Sequence, residues 1–116
     1  MNTSTYLEKV KHTPELLDFS ELMQVIETEY SFTPTAFKNG SLENAENENL
    51  GSCKLFSFAK IHGLTVDETL ACFGSYYRED VLQHPDATDH QNIRNFINSG
   101  WDGIVFEGEA LKSLTT

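Results

Sequence analysis

Gly51-Ser52-Cys53-Lys54-Leu55-Phe56-Ser57-Phe58-Ala59-Lys60-Ile61-His62-Gly63 is the stretch on which the reading of this chain turns. Leu55, Phe56, Phe58, Ala59 and Ile61 crowd several faces of a helix, and a helix apolar on so many sides belongs in the middle of a fold. Gly63 supplies the left-handed residue that stops it. On the C-terminal side, Thr65-Val66-Asp67-Glu68 spells a capping box: the Thr hydroxyl accepts from the backbone three residues on and Glu68 reaches back. The helix it opens carries Leu70 and Phe73 and ends near Gly74. A further helical stretch over residues 76–82 closes at His84-Pro85. Thr88-Asp89-His90-Gln91 opens another, with Gln91 in the capping-box position, Ile93, Phe96 and Ile97 as its buried stripe and Gly100 as its stop. Trp101-Asp102-Gly103 turns the chain into Ile104-Val105-Phe106, a short strand closed by Gly108.

On the N-terminal side the residues 42–50 are rich in Asn and Glu and read as a loop or a lead-in to the central helix. Asn39-Gly40 is a tight-turn pair. In residues 30–37 aromatics alternate with hydroxyl residues, which is strand chemistry, and Pro34 confines such a strand to an edge. Phe19, Leu22, Met23 and Ile26 recur at helical spacing and predict a helix over residues 20–30. Tyr6, Leu7 and Val10 predict one before it, and Thr13-Pro14 restarts the chain between them. The expected fold is α+β: a helix-dominant single domain over residues 1–116, with a small antiparallel sheet built from strands near 32–38 and 104–107 that pair because a lone strand leaves backbone groups unsatisfied.

Bulk chemistry narrows the function. The chain has 116 residues with 18 Asp and Glu against 8 Lys and Arg, a formal net charge of -10. Nucleic acid and anionic membranes are both bound through clustered Lys and Arg, so this balance counts against either. A membrane-spanning apolar run is lacking, and the first residues, Met1-Asn2-Thr3-Ser4-Thr5-Tyr6, lack the basic start and apolar core of a cleavable signal peptide. Export by the general pathway is therefore not expected, while export by a specialised machine that reads a polar N-terminus stays open. Two cysteines, Cys53 and Cys72, make no disulfide framework. Phosphate-binding glycine motifs and the Ser-hydrolase elbow are absent as well.

Three stretches together resemble the HopJ family of type III effector proteins. They are Phe37-Lys38-Asn39-Gly40 leading to Gly51-Ser52-Cys53-Lys54-Leu55-Phe56-Ser57-Phe58-Ala59; Tyr77-Arg78-Glu79-Asp80-Val81-Leu82 with Pro85; and His90-Gln91-Asn92-Ile93-Arg94-Asn95-Phe96 with Gly100-Trp101-Asp102-Gly103-Ile104-Val105-Phe106. The resemblance covers residues 5–111. It implies a small protein of a kind first noted as effectors injected by plant-pathogenic bacteria, with no established enzymatic activity, cofactor or catalytic residue. The activity it leads us to expect is binding of a host or bacterial protein partner, and the location it implies is the bacterial cytoplasm, with delivery into a host cell through a type III system left open.

Several constellations could carry chemistry instead. Cys53 stands near a helix N-terminus, where the dipole favours a thiolate, which would make the protein a Cys53-dependent hydrolase or redox protein; the plainer expectation is a small buried apolar residue. The same holds more strongly for Cys72. Asp80 and His84 are four apart on a helical pattern, an orientation that tunes an acid–base His or merely decorates a helix end. His90 and Arg94 repeat that spacing, and Arg94 is expected to form an internal salt bridge with Glu79, Asp80 or Asp86. A cleft built from residues 77–94 and Trp101 would make the protein a small enzyme. For binding, Tyr77, Arg78 and Trp101 are the candidates, with Trp101 pinned between two glycines either in a pocket wall or as a lid on the core. The set Cys53, His62, Cys72, His84 and His90 lacks the close ligand pairs of a zinc site, so no metal or other cofactor is expected. The acidic run Glu43 to Glu48 is a solvated surface or a docking patch for a basic partner.

Overall fold

In the computed structural model, which describes residues 1–114, the chain runs α1 (Thr3–His12), α2 (Phe19–Glu29), β1 (Tyr30–Phe32), β2 (Phe37–Asn39), β3 (Leu42–Asn44), α3 (Leu50–Ile61), α4 (Val66–Ala71), a π-helical stretch (Tyr76–Val81), α5 (Gln91–Ser99), β4 (Ile104–Phe106) and β5 (Leu111–Ser113). Single 3-10 turns, Pro14–Leu16 and Gly100–Gly103, lie before α2 and β4. The helix-dominant α+β reading holds. No helix of the described residues is long and apolar enough to cross a membrane.

α3 is the axis. Six of its residues are buried, from Cys53 to Ala59. Phe56 is at the hub of the aromatic core, tilted on Phe96 at 4.9 Å and edge-on to Phe73 at 5.6 Å, to Phe37 at 6.0 Å and to Trp101 at 6.4 Å. Such offset and edge contacts suit the ring quadrupole. Phe58, on the next face, meets the edges of Tyr6 from α1 and Tyr30 from β1. The capping box before α4 forms as expected: Glu68 N–H donates to Thr65 Oγ1 at 3.1 Å and Thr65 N–H to Glu68 Oε1 at 2.9 Å.

The sheet is more divided than the sequence suggests. β2 pairs antiparallel with β4 as expected, Phe37 opposite Phe106 and Asn39 opposite Ile104. The predicted strand over 32–38 is broken, however. Thr33 to Ala36 carry no strand, and Tyr30–Phe32 pairs with Leu111–Ser113 in a separate two-stranded sheet. Pro34 explains the break, because it cannot donate a ladder hydrogen bond. The Asn-rich segment expected as a loop supplies β3, which returns along β2 across the Gly40 turn, with Gly40 at φ +62°. A Cβ on Gly40 would come within 2.7 Å of Ser99 Oγ, so the turn also fixes how closely α5 packs on the sheet.

Two helical expectations also change. α5 starts at Gln91, not within the Thr88 capping box, and its N-cap is His90 at φ +50°. On α5 Ile97 is exposed while Asn92 is buried. The reason is that Asn92 has amide partners below it, described next, whereas Ile97 faces away from the core.

Candidate functional site

A cluster of asparagines joins the elements that shape the main recess. Asn44, at the end of β3, is the bracket. Its Oδ1 accepts from Asn49 Nδ2 at 2.6 Å and from Asn92 Nδ2 at 2.9 Å. Asn49 is the N-cap of α3, and Asn92 sits in the first turn of α5. Asn39 Nδ2 donates to Asn92 Oδ1 at 3.0 Å and to the Asn92 carbonyl at 2.7 Å. Asn44 Nδ2 donates to Asn92 Oδ1 at 3.1 Å. Buried amides are stable only when paired in this way.

The bracket brings the starts of α3 and α5 to one recess of about 650 Å³. Phe19, Phe73 and Tyr76 wall it, with Asn49, Gly51 and Ser52 from the start of α3 and His90, Gln91 and Asn92 from the start of α5. Both caps, Asn49 at φ +51° and His90 at φ +50°, are left-handed, and they are the two non-glycine residues with positive φ among those described. Neither makes a side-chain cap hydrogen bond. First-turn N–H groups of a helix have no partner within the helix, and each helix start carries roughly half a positive charge. The recess therefore gathers donor character in an acidic protein.

His90 is the titratable group on the wall. Its Nε2 lies 3.1 Å from Asp80 Oδ2 and 3.8 Å from Asp89 Oδ2, and its ring tilts against Tyr76 at 5.3 Å. Asp80 thus turns the imidazole by a carboxylate, a way of orienting His in acid–base sites. Ser52 and Tyr76, the residues of the lining that carry hydroxyls, border the same space. Gly51 keeps Phe19 in place: a Cβ there would stand 2.9 Å from Phe19 Cζ.

The remaining candidates scatter. Asp80 meets His90, not His84, because residues 76–81 are π-helical and the i, i+4 stacking of an α-helix is lost. His84 is exposed, and its carbonyl accepts from Arg94 at 3.0 Å. Arg94 pairs with Asp89 at 2.7 Å, not with Glu79, Asp80 or Asp86 through their carboxylates, and also donates to the Asp89 and Pro85 carbonyls. The guanidinium holds the Asp89 carboxyl below the usual carboxylate range. Arg94 is a clamp on the 84–89 loop. Tyr77 is half-buried and Arg78 donates to the Leu17 carbonyl at 2.8 Å. Trp101 Nε1 donates to the Leu64 carbonyl at 3.0 Å, and the ring stands edge-on to Phe96 at 5.1 Å, so it closes the core. None of Tyr77, Arg78 and Trp101 lines the recess.

Cys53 is fully buried, with its thiol 3.5 Å from the Thr35 carbonyl; burial pushes that thiol up. Burial pushes Cys72 up to about 11. Both are free thiols. His62 accepts from or donates to Tyr30 Oη at 2.6 Å, remote from Cys53 and Cys72 in its bonding. Among the described residues no three His, Cys, Asp or Glu side chains come together as a metal would require. Residues at the recess that spacing alone missed are Phe19, Asn49 and Ser52, and Tyr76 lines it without the Trp101, Tyr77 and Arg78 expected beside it; the repeated Asn residues 39, 44, 49 and 92 were the available signal.

Residues 3–111 match the family model described as HopJ type III effector protein. The chain is also similar to a solved crystal structure described as an unknown function protein, VPA0580. The identity is 51%, the TM-score is 0.96, and the match covers 97% of this chain and 94% of that one. No curated protein matches.

Proposed function

Because the chain belongs to the HopJ type III effector protein family, we propose that it is delivered as an effector and acts by seating a protein partner over the recess at the starts of α3 and α5. The observation that carries this reading is the convergence of two helix starts without side-chain caps on a cavity walled by aromatics. Tyr76 is 43% exposed at its rim, stacked edge-on to Phe19 at 5.6 Å. A rigid, amphipathic ring beside an open concavity is the kind of residue on which interface energy concentrates. The donors within suit an acceptor-bearing anchor side chain. The surrounding charge of -10 favours a partner whose own surface is basic, which steers encounter without fixing affinity.

Catalysis fits less well. Asp80 and His90 make a dyad, but Arg94 is paired with Asp89, Cys53 is sealed from solvent and His84 does not line the recess. The test is capture from host and bacterial lysates with immobilised wild type, Tyr76→Ala, His90→Ala and, as control, Val105→Ala on β4. The reading expects a protein retained by wild type and Val105→Ala and depleted at least about fivefold by Tyr76→Ala. Equal retention by all four, or no retained protein, refutes it.

A further inference from the structure

β4 is the last strand of its sheet, and one of its two long edges carries no neighbouring strand. The pairing with β2 fixes which backbone groups lie on that edge. Gly40 N–H donates to the Gly103 carbonyl at 2.9 Å and Glu107 N–H to the Ala36 carbonyl at 3.0 Å, so residues 103, 105 and 107 bond inward. Ile104 and Phe106 therefore turn their backbone groups outward. The Ile104 N–H is taken by the Trp101 carbonyl in the preceding turn. Left open are the Ile104 carbonyl, both groups of Phe106 and, past the strand, the N–H of Gly108, which has no partner among the described residues. Along the chain these run acceptor, donor, acceptor, donor, the pattern that a further strand pairs with.

Phe106 and Gly108 also line a cavity of about 430 Å³, shared with Ile61 at the end of α3 and with Ala110 and Leu111. Ile61 is 52% exposed there, a large aliphatic side chain left against water. Lys60 and Glu109 on the same lining carry opposite charges, so the cavity favours neither sign. The other face of the strand differs. Side chains alternate across a strand, which puts Val105, 56% exposed, and Glu107 on the solvent face. Among the described residues Glu107 is in no ion pair.

From this edge we infer a docking site for an extended segment of a partner protein, added antiparallel to β4, with an apolar side chain opposite Phe106 seated in the cavity and a Lys or Arg opposite Glu107. In strand addition the main-chain bonds supply affinity and alternate side chains supply choice. Residues directly opposite each other share a face, so the register puts the apolar side chain toward Ile61 and Leu111 and the basic one against the unpaired carboxylate. A second copy of this chain is the poorer occupant, because it brings another charge of -10. The site shares no lining residue with the recess at the starts of α3 and α5 and does not rest on the partner proposed there.

The probe is the capped peptide Ser-Thr-Lys-Leu-Val-Thr-Ser, whose Lys, Leu and Val fall opposite Glu107, Phe106 and Val105, titrated into isotopically labelled full-length protein. Saturable shifts and slowed hydrogen exchange are expected at the Phe106 and Gly108 amides. Methylating the peptide's Leu nitrogen removes the donor to the Phe106 carbonyl and weakens binding at least about fivefold. Glu in place of the peptide's Lys weakens it about threefold, and Glu107→Lys reverses that preference. Glu107 is exposed, so this variant keeps its fold, which thermal melting verifies. Tyr76→Ala binds the peptide as wild type does. The inference is overturned by absence of saturable binding, by equal affinity for the methylated peptide, or by a Lys-over-Glu preference that Glu107→Lys leaves unmoved. Loss of binding in Tyr76→Ala would move the peptide to the recess and overturn it as well. So would protection of the Phe106 amide that rises with protein concentration without peptide, which assigns the edge to a second copy.

Discussion

Replacing Asn92 by Ala tests the asparagine bracket directly. The side chain accepts from Asn39 and Asn44 and donates to Asn44, three hydrogen bonds at 3.0, 3.1 and 2.9 Å. At about 1 kcal/mol net for each, their loss costs about 3 kcal/mol. Two of the abandoned groups keep other partners: Asn39 Nδ2 retains the Asn92 carbonyl at 2.7 Å, and Asn44 Oδ1 retains Asn49 at 2.6 Å. Asn44 Nδ2 retains only the Phe37 carbonyl at 3.4 Å. It is close to orphaned, which adds to the loss. Alanine's better helix propensity returns about 0.5 kcal/mol. The expected net is about 2.5–3 kcal/mol, or a fall in Tm of roughly 10 °C for a chain of this size. Urea unfolding followed by circular dichroism measures the first and thermal melting the second. Ile97→Ala, at a position 43% exposed, is the comparison and should cost under about 1 kcal/mol. If Asn92→Ala lost less than about 1 kcal/mol, or less than Ile97→Ala, the amides would be exchanging with water and the bracket would not hold the two helix starts.

Other outcomes follow from the same structure. Burial of both thiols and the upward push on their pKa values predict that neither Cys53 nor Cys72 is modified by a thiol reagent at neutral pH in the native protein, while both react in guanidinium; rapid native labelling would refute the sealed placement. Burial holds the His62 pKa below its ordinary 6.5, so the unfolded chain takes up the proton first as pH falls. Stability is therefore full above about 6.5 and declines as pH drops below it, and a series of melts from pH 7.5 to about 5 should show a slope that His62→Gln reduces. Gly74 and Gly63 share φ +63°, but a Cβ on Gly74 would meet the Phe19 nitrogen at 2.9 Å and the Leu17 carbonyl at 3.0 Å, whereas one on Gly63 meets nothing within 4 Å. Gly63→Ala should cost about 1–2 kcal/mol from backbone conformation alone, and Gly74→Ala distinctly more, by denaturant titration; equal costs would mean that the contact at Gly74 yields easily.

What could be read from the chain alone was what short-range chemistry decides. The all-round apolar character of Leu55 to Ala59 named the central helix, Gly63 its stop, Gly100 the stop of α5, and Thr65 with Glu68 a capping box that forms as written. The pairing of residues near 37 with those near 106 was also legible, since each apolar strand needed a partner. The family resemblance rested on those same short runs.

The recess was not legible, because it belongs to no single run. Its walls come from α2, from the starts of α3 and α5, and from the stretch around Tyr76. Counted along the sequence, Asn92 is polar and Ile97 apolar, so periodicity assigned Ile97 to the core. Only when β2, β3 and α5 meet does the Asn92 amide find its partners in Asn44 and in Asn39 Nδ2, which makes it cheap to bury Asn92, although Asn39 Oδ1 is left unpaired. Likewise Asp80 and His84 share a face on an ideal helix, but the π-helical turn re-aims Asp80 to His90 across the loop. Local propensity and capping are settled within a few residues of chain; which polar side chains find partners is settled by long-range contacts, and in this protein that second decision shapes the candidate site.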